Sequence, residues 1–223
     1  MEKFTRLTGI AAPLMRPNID TDVIIPIDDC VSVPRAEQGR CAFRAWRYLP
    51  DGSDNPDFML NRVPFRAAVI LLAGINFGCG SSREPAVWAL RGLGFRAIIA
   101  PSFGDIFYNN CFQNGVLPIM LPEETVRAIA AEVEAAPEAP LTVDLENRII
   151  SNGRGLRIAF SLDDARRSAL LAGLDEVGLT LQRDAGIAST RGACRMASMS
   201  RTSKPARSRL WRSRRGPQVA PTK

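Results

Sequence analysis

The sequence predicts a parallel α/β core with an antiparallel hairpin added to it, and three observations carry that expectation. Short unbroken apolar runs alternate with helix-spaced stretches between residues 67 and 136, the pattern of strands buried on both faces and joined by crossover helices. The hydrophobic period then changes from about 3.6 to 2 beyond residue 140. With 46% hydrophobic and 23% charged residues, the chain is globular in composition, and about 190 residues suffice to bury a core.

The elements follow in order. "AAVILLAG" (67–74) is an apolar run suited to a buried strand, and the glycine turn after it opens a helix reaching about Leu93. "FRAIIAPS" (95–102) is a second strand, and "FGDIFYNNCFQNG" (103–115) a short helix stopped by Gly115. "VLPIML" (116–121) is a third strand. "PEETVRAIAAEVEAA" (122–136) begins with Pro and acidic residues and keeps apolar residues at Val126, Ile129, Ala130 and Val133, as a one-sided helix does. "LTVDLENRIISNGRGLRIAFSL" (141–162) reads as a hairpin turning near Asn152-Gly153, and "LDDARRSALLAGL" (162–174) as a last helix. The stretch from about 28 to 63 is long and irregular, a place where function often sits.

Charge divides the chain. Of 29 Lys and Arg residues, ten fall in 191–223, which hold no Asp or Glu, so residues 1–190 carry 19 basic against 23 acidic side chains, a net of −4. The formal +6 belongs to the tail. Residues 1–188 therefore read as one domain and 189–223 as a basic, disordered tail rich in Arg, Ser and Pro. Its composition breaks so abruptly that it looks like a shifted reading frame or a replaced terminus. Nonspecific, salt-sensitive contact with nucleic acid is the most such a tail offers, and a specific nucleic-acid function is not expected. No apolar run is long enough for a membrane span and the N-terminus makes a poor signal peptide, so a cytoplasmic location is expected. Five widely spaced cysteines without a CxxC pair predict neither a disulfide framework nor a metal centre in this chain. The absence of histidine excludes Ser-His-Asp and Cys-His machinery and His-ligated metals.

Chemistry concentrates in "NFGCGSSREPAVWAL" (76–90). One account of it is local: Ser81 or Ser82 caps a helix, Glu84 complements the dipole and Pro85 sits in the first turn. The other is an anion site, in which N–H groups, two hydroxyls and the planar Arg83 guanidinium meet a carboxylate or a phosphate. The spacing fits neither a P-loop nor a dinucleotide fingerprint. A serine is a poor base unless its anion is stabilised, and a neighbouring arginine and helix end supply that stabilisation.

"NIDTDVIIP" (18–26), "NFGCGSSRE" (76–84), "SFGDIFYNNCFQNGVLPI" (102–119) and "GLDEVGLTL" (173–181) resemble the small subunits of bacterial 3-isopropylmalate dehydratases, and "RYLPDGSDNPDFMLN" (47–61) resembles their long-loop form. The resemblance runs in order over about residues 1–185 and extends to the swivel domain of aconitase. It implies a three-layer β/β/α swivelling domain of α/β class. It also implies a partner large subunit carrying a [4Fe–4S] cluster, no cofactor in this chain, and a small dicarboxylate substrate. The implied reaction isomerises 2-isopropylmalate to 3-isopropylmalate through isopropylmaleate, in leucine biosynthesis. By the same resemblance Ser81 is the proton-abstracting serine and Ser82 its neighbour in the substrate site. Arg83 is the carboxylate clamp, Asp22 lies at the cleft edge, and Arg35 stands near a second carboxylate-binding position.

Three departures qualify the match. Pro85 stands where the family motif has histidine. "IDDCVSVP" (27–34) brings Asp28 and Asp29 where a basic, aromatic-containing stretch is usual, and like charge there would weaken binding of a dianion. The tail has no counterpart. A sister hydro-lyase acting on another substituted malate, of citraconate or homoaconitate type, and an inactive paralogue that binds a large subunit are the alternatives these departures leave open.

Overall fold

The computed structural model describes residues 1–81, 83–175 and 178, within a unit spanning Met1–Thr180. The basic tail, and most of the "GLDEVGLTL" stretch, lie outside the described residues.

The chain enters through β1 (Arg6–Gly9) and β2 (Ala11–Leu14), then makes two short helices, α1 (Thr21–Ile24) and α2 (Ile27–Ser32). A 3-10 segment (Arg35–Cys41) and α3 (Arg44–Arg47) follow. The alternating part comprises β3 (Ile70–Ala73), α4 (Glu84–Gly92), β4 (Ala97–Ala100), α5 (Asp105–Gln113), β5 (Leu117–Met120) and α6 (Glu123–Ala135). Three antiparallel strands, β6 (Leu141–Asp144), β7 (Ile149–Asn152) and β8 (Arg157–Ala159), precede α7 (Asp164–Ala172).

Strands β2, β3, β4 and β5 form a parallel sheet in that order, with Leu71 opposite Ile98 and Ile99 opposite Ile119. Its apolar residues serve two faces because successive strand side chains point opposite ways. Leu71, Ala73, Ile98 and Ala100 pack with Val87 and Leu90 of α4 and Phe107 of α5. Ile70, Leu72, Ile99 and Leu117 pack with Val126 and Ile129 of α6 and with Leu141, Val143 and Ile150. Each such side chain is essentially inaccessible, and the Val, Leu, Ile and Phe side chains among them are worth about 1.5–3 kcal/mol of transfer free energy apiece. The second sheet, in the order β1-β6-β7-β8, is antiparallel throughout. Helices, a parallel sheet and an antiparallel sheet make the three layers.

One expectation is corrected here. The period-2 stretch makes a three-stranded meander rather than one hairpin: besides the turn at Asn152-Gly153 it reverses at 145–148, where Asp144 accepts from the Asn147 backbone N–H (2.8 Å) and Arg148 adopts φ +55°. Residues Thr21–Ile24 make one turn of helix because Asp20 caps it by accepting from the Val23 N–H (2.8 Å).

The irregular stretch folds over the helical face. Phe43, Trp46 and Phe58 pack ring on ring. Gly39 meets Gly92 backbone to backbone: a Cβ on Gly39 would stand 2.5 Å from the Gly92 carbonyl carbon. That contact locks α4 to the 3-10 segment and so fixes the helix that follows the serine loop.

Candidate active site

The loop from Asn76 to Arg83 leaves the C-terminal end of β3, where open α/β sheets place ligands. It is strung between its neighbours by backbone hydrogen bonds. The Gly78 N–H donates to the Ile19 carbonyl (2.7 Å), the Phe77 N–H to the Ser102 carbonyl (3.0 Å), and the Gly104 N–H to the Phe77 carbonyl (2.9 Å). Thr21, at the start of α1, donates through its N–H to the Cys79 carbonyl (3.0 Å) and through Oγ1 to the Ser81 carbonyl (2.8 Å). Gly78, at φ +70°, admits no side chain, since a Cβ would lie 2.3 Å from the Phe107 ring. The loop is therefore clamped on both sides, chiefly through backbone groups.

Three of the expected residues come together on it. Arg83 donates through Nη1 to Asp22 Oδ1 at 2.5 Å and through Nη2 to Asp22 Oδ2 at 3.3 Å. The same Nη2 donates to Ser81 Oγ at 3.2 Å. The Arg83 side chain is 20% exposed while that of Asp22 is 54% exposed, so the guanidinium is seated and its partner is open to solvent. Donating to the Asp22 carboxylate raises the guanidinium pKa further above its ordinary value, keeping the charge fixed. A serine hydroxyl beside a permanent cation is a site able to hold an alkoxide or to present a hydroxyl beside a bound carboxylate.

The capping expectation is corrected. Arg83 itself is the N-cap of α4, extended at φ −132°, with no side-chain cap hydrogen bond, and Ser81 lies two residues outside the helix. Thr21 holds the Ser81 carbonyl, which turns the serine away from the helix end and toward Arg83. Pro85 falls in the first turn and offers no N–H, so the site's positive potential rests chiefly on the guanidinium. Ser82 lies outside the described residues.

Arg35 is engaged with other groups. Its Nη2 donates to Asn114 Oδ1 (2.8 Å), and its guanidinium lies over the Trp88 ring at 4.4 Å. Of the two carboxylates that threatened a like-charge clash, Asp29 turns inward, 5% exposed, and pairs with Arg44 at 2.8 Å. Only Asp28 stays at the exposed surface of α2.

Two neighbours were not singled out from sequence. Cys30, on α2, stands against Arg83; burial raises its thiol pKa, offset in part by that guanidinium. Asn114 gathers Arg35, Glu84 and Trp88 around its carboxamide and Arg91 at its backbone carbonyl. A free cysteine and an Asn-Gly pair closing a helix carry no local signal of either role. Among the described residues no three His, Cys, Asp or Glu side chains gather where they could hold a metal, and no helix is long and apolar enough to cross a membrane.

Comparison with known proteins bears on this geometry. The aconitase C-terminal domain model matches residues 1–124, and the LeuD_N model matches residues 127–164. The 3-isopropylmalate dehydratase small subunit of Rhodospirillum rubrum is 54% identical over 183 residues, 82% of this chain and 88% of that protein. Its counterpart in Paramagnetospirillum magneticum is 51% identical over 189 residues, 85% and 94% of the two chains. The crystal structure of 3-isopropylmalate dehydratase (leuD) from Methanocaldococcus jannaschii superposes with a TM-score of 0.60 at 26% identity, covering 83% of this chain and 99% of that one. The loop that presents Ser81 and Arg83, and the layers that hold it, thus belong to a chain of the 3-isopropylmalate dehydratase small-subunit family, built on the aconitase swivel-domain fold.

Proposed function

We propose that this chain is one half of a hydro-lyase active site, isomerising 2-isopropylmalate to 3-isopropylmalate through isopropylmaleate in leucine biosynthesis once a large subunit closes over it. The observation that carries the proposal is Arg83 Nη2 donating to Ser81 Oγ at 3.2 Å while Nη1 is held by Asp22. In the dehydration direction Ser81, as alkoxide, takes a proton from the carbon next to the one bearing hydroxyl. The guanidinium beside Oγ lowers the cost of that anion. Arg83 also receives a substrate carboxylate, which approaches along the solvent side where Asp22 now lies. In the return step the Ser81 hydroxyl gives its proton back to the neighbouring carbon, so water adds with the opposite regiochemistry.

The described residues of this chain supply no metal site. A [4Fe–4S] cluster on the large subunit would supply the Lewis acid for the departing hydroxyl. Exposed apolar residues on the elements framing the site, Ile27 (54%) and Val31 (85%) on α2, Ile75 after β3 and Ile106 (59%) on α5, suit coverage by such a partner.

The test is isopropylmaleate hydration by this chain mixed anaerobically with a cluster-loaded large subunit of the family, with Ser81→Ala alongside. Turnover that falls by about 10²–10⁴-fold in the variant, the span of a lost general base, supports the proposal. A binary complex that forms yet hydrates only other substituted maleates would reject the isopropylmalate assignment.

A further inference from the structure

α4 begins without a side-chain cap: its N-cap is Arg83 itself, and its first turn carries Pro85, which has no N–H. Something else must hold the start of this helix, because the direction of the Arg83 side chain follows from it. Asn114, the residue after α5, meets that need. It is 3% exposed and its carboxamide is fully used. Oδ1 accepts from Arg35 Nη2 (2.8 Å) and Trp88 Nε1 (2.9 Å); Nδ2 donates to Glu84 Oε1 (2.9 Å) and to the Asn110 carbonyl (2.9 Å). Its own carbonyl accepts from Arg91 Nη1 at 3.0 Å. Two donors and two lone pairs are all a carboxamide has, so neither a carboxylate nor a flipped amide serves all four partners. Glu84 is the residue next to Arg83, and the Glu84–Asn114 hydrogen bond links the first turn of α4 to the end of α5. Arg35 links the 3-10 segment to the same point.

We propose that Asn114 is a positioning residue for Arg83, acting through Glu84 to hold the first turn of α4 so that the guanidinium faces the substrate carboxylate. The inference rests on Arg83 being the clamp, as proposed above. It assigns to Arg35 a share in the same anchoring rather than requiring it to leave Asn114 and Trp88.

The experiment is steady-state hydration of isopropylmaleate by the heteromer with four altered small subunits. Asn114→Asp keeps the acceptors for Arg35 and Trp88 but sets a carboxylate oxygen against the Glu84 carboxylate and against the Asn110 carbonyl. The expected result is a KM raised about tenfold with kcat changed by less than about threefold, the signature of weakened ground-state and transition-state binding alike. Glu84→Ala cuts the same tie while leaving the other bonds of Asn114 intact, and is expected to match it. The double variant Asn114→Asp/Glu84→Gln restores a donor facing an acceptor across the pair, and its KM is expected to return to within about twofold of the wild type. Arg83→Lys tests the underlying clamp.

Wild-type KM in both single variants overturns the positioning role while leaving the clamp standing. So does a raised KM that the double variant fails to restore, since general damage to packing would not be cured by reversing one hydrogen bond. An unchanged KM in Arg83→Lys removes the clamp and this inference with it. Melting temperature and retention of the large subunit are followed in each variant. If Asn114→Asp does not fold, Glu84→Ala and Arg83→Lys decide the question by themselves.

Discussion

Asp22 and Arg83, 61 residues apart in sequence, meet through two hydrogen bonds, at 2.5 and 3.3 Å. The pair joins α1 to the serine loop and leaves only one guanidinium nitrogen, Nη2, shared with Ser81. Asp22 therefore holds the Arg83 guanidinium in place and, if Arg83 is the proposed carboxylate clamp, also occupies the position an incoming carboxylate would take.

Asp22→Asn tests which of these dominates. An amide still accepts one hydrogen bond from Nη1 but loses the charge-assisted pairing. We expect kcat to fall by roughly ten- to a hundredfold, as reacting groups drift on the order of 1 Å. Steady-state kinetics of the reconstituted heteromer checks it, and a kcat equal to wild type with a lower KM would show Asp22 to be only a competitor for Arg83.

Val31 and Ile106 are 85% and 59% exposed on two elements flanking the site. Val31→Glu and Ile106→Glu should weaken large-subunit binding by about tenfold or more each, the cost of one well-placed apolar contact, without altering the melting temperature of the isolated chain. Analytical ultracentrifugation of the mixed subunits measures this. Unchanged association in both variants would put the docking surface elsewhere.

Gly78→Ala should be among the most damaging single changes outside the reacting groups. The position combines φ +70° with a Phe107 ring 2.3 Å from the would-be Cβ, and Phe107 is itself buried against Phe77. Left-handed strain alone costs on the order of 1–3 kcal/mol, and moving the ring adds to it. A urea denaturation midpoint reads the loss, and a variant as stable as wild type would contradict the tight packing beneath the serine loop.

The parallel core was legible in the sequence because "VILLAG", "AIIA" and "VLPI" are short runs apolar at every position, as strands covered on both faces are. Strands β1 and β2 were not: β1 is polar and partly exposed, β2 follows it with no helix between, and the two owe their place to pairing with β6 and β3. The serine cap failed for a similar reason, since a long-range bond from Thr21 outweighed a local preference. Within the site, Ser81 and Arg83 were readable as neighbours on one motif. Their link to Asp22 came only from family resemblance, and the contacts of Cys30 and Asn114 depend on how α2 and α5 pack against α4.

The last expectation concerns alkaline pH. Cys111 is fully buried on α5, and burial alone pushes its thiol well above the ordinary 9.0. Below that pH the thiol is protonated in the folded and unfolded chains alike, and its contribution to stability is fully present. As pH rises past 9.0 the unfolded chain releases the proton while the folded chain keeps it. Stability then declines by up to about 1.4 kcal/mol per pH unit from this group, until the folded thiol also ionises. Cys30 and Cys41 are shifted the same way by burial and add to the slope. Cys111→Ala removes one titrating group at the cost of a small cavity. Its denaturation midpoint should sit below that of the wild type at pH 8 and fall less steeply between pH 9 and 10.5. Parallel curves for the two proteins would mean that the Cys111 thiol ionises as readily in the folded chain as in the unfolded one.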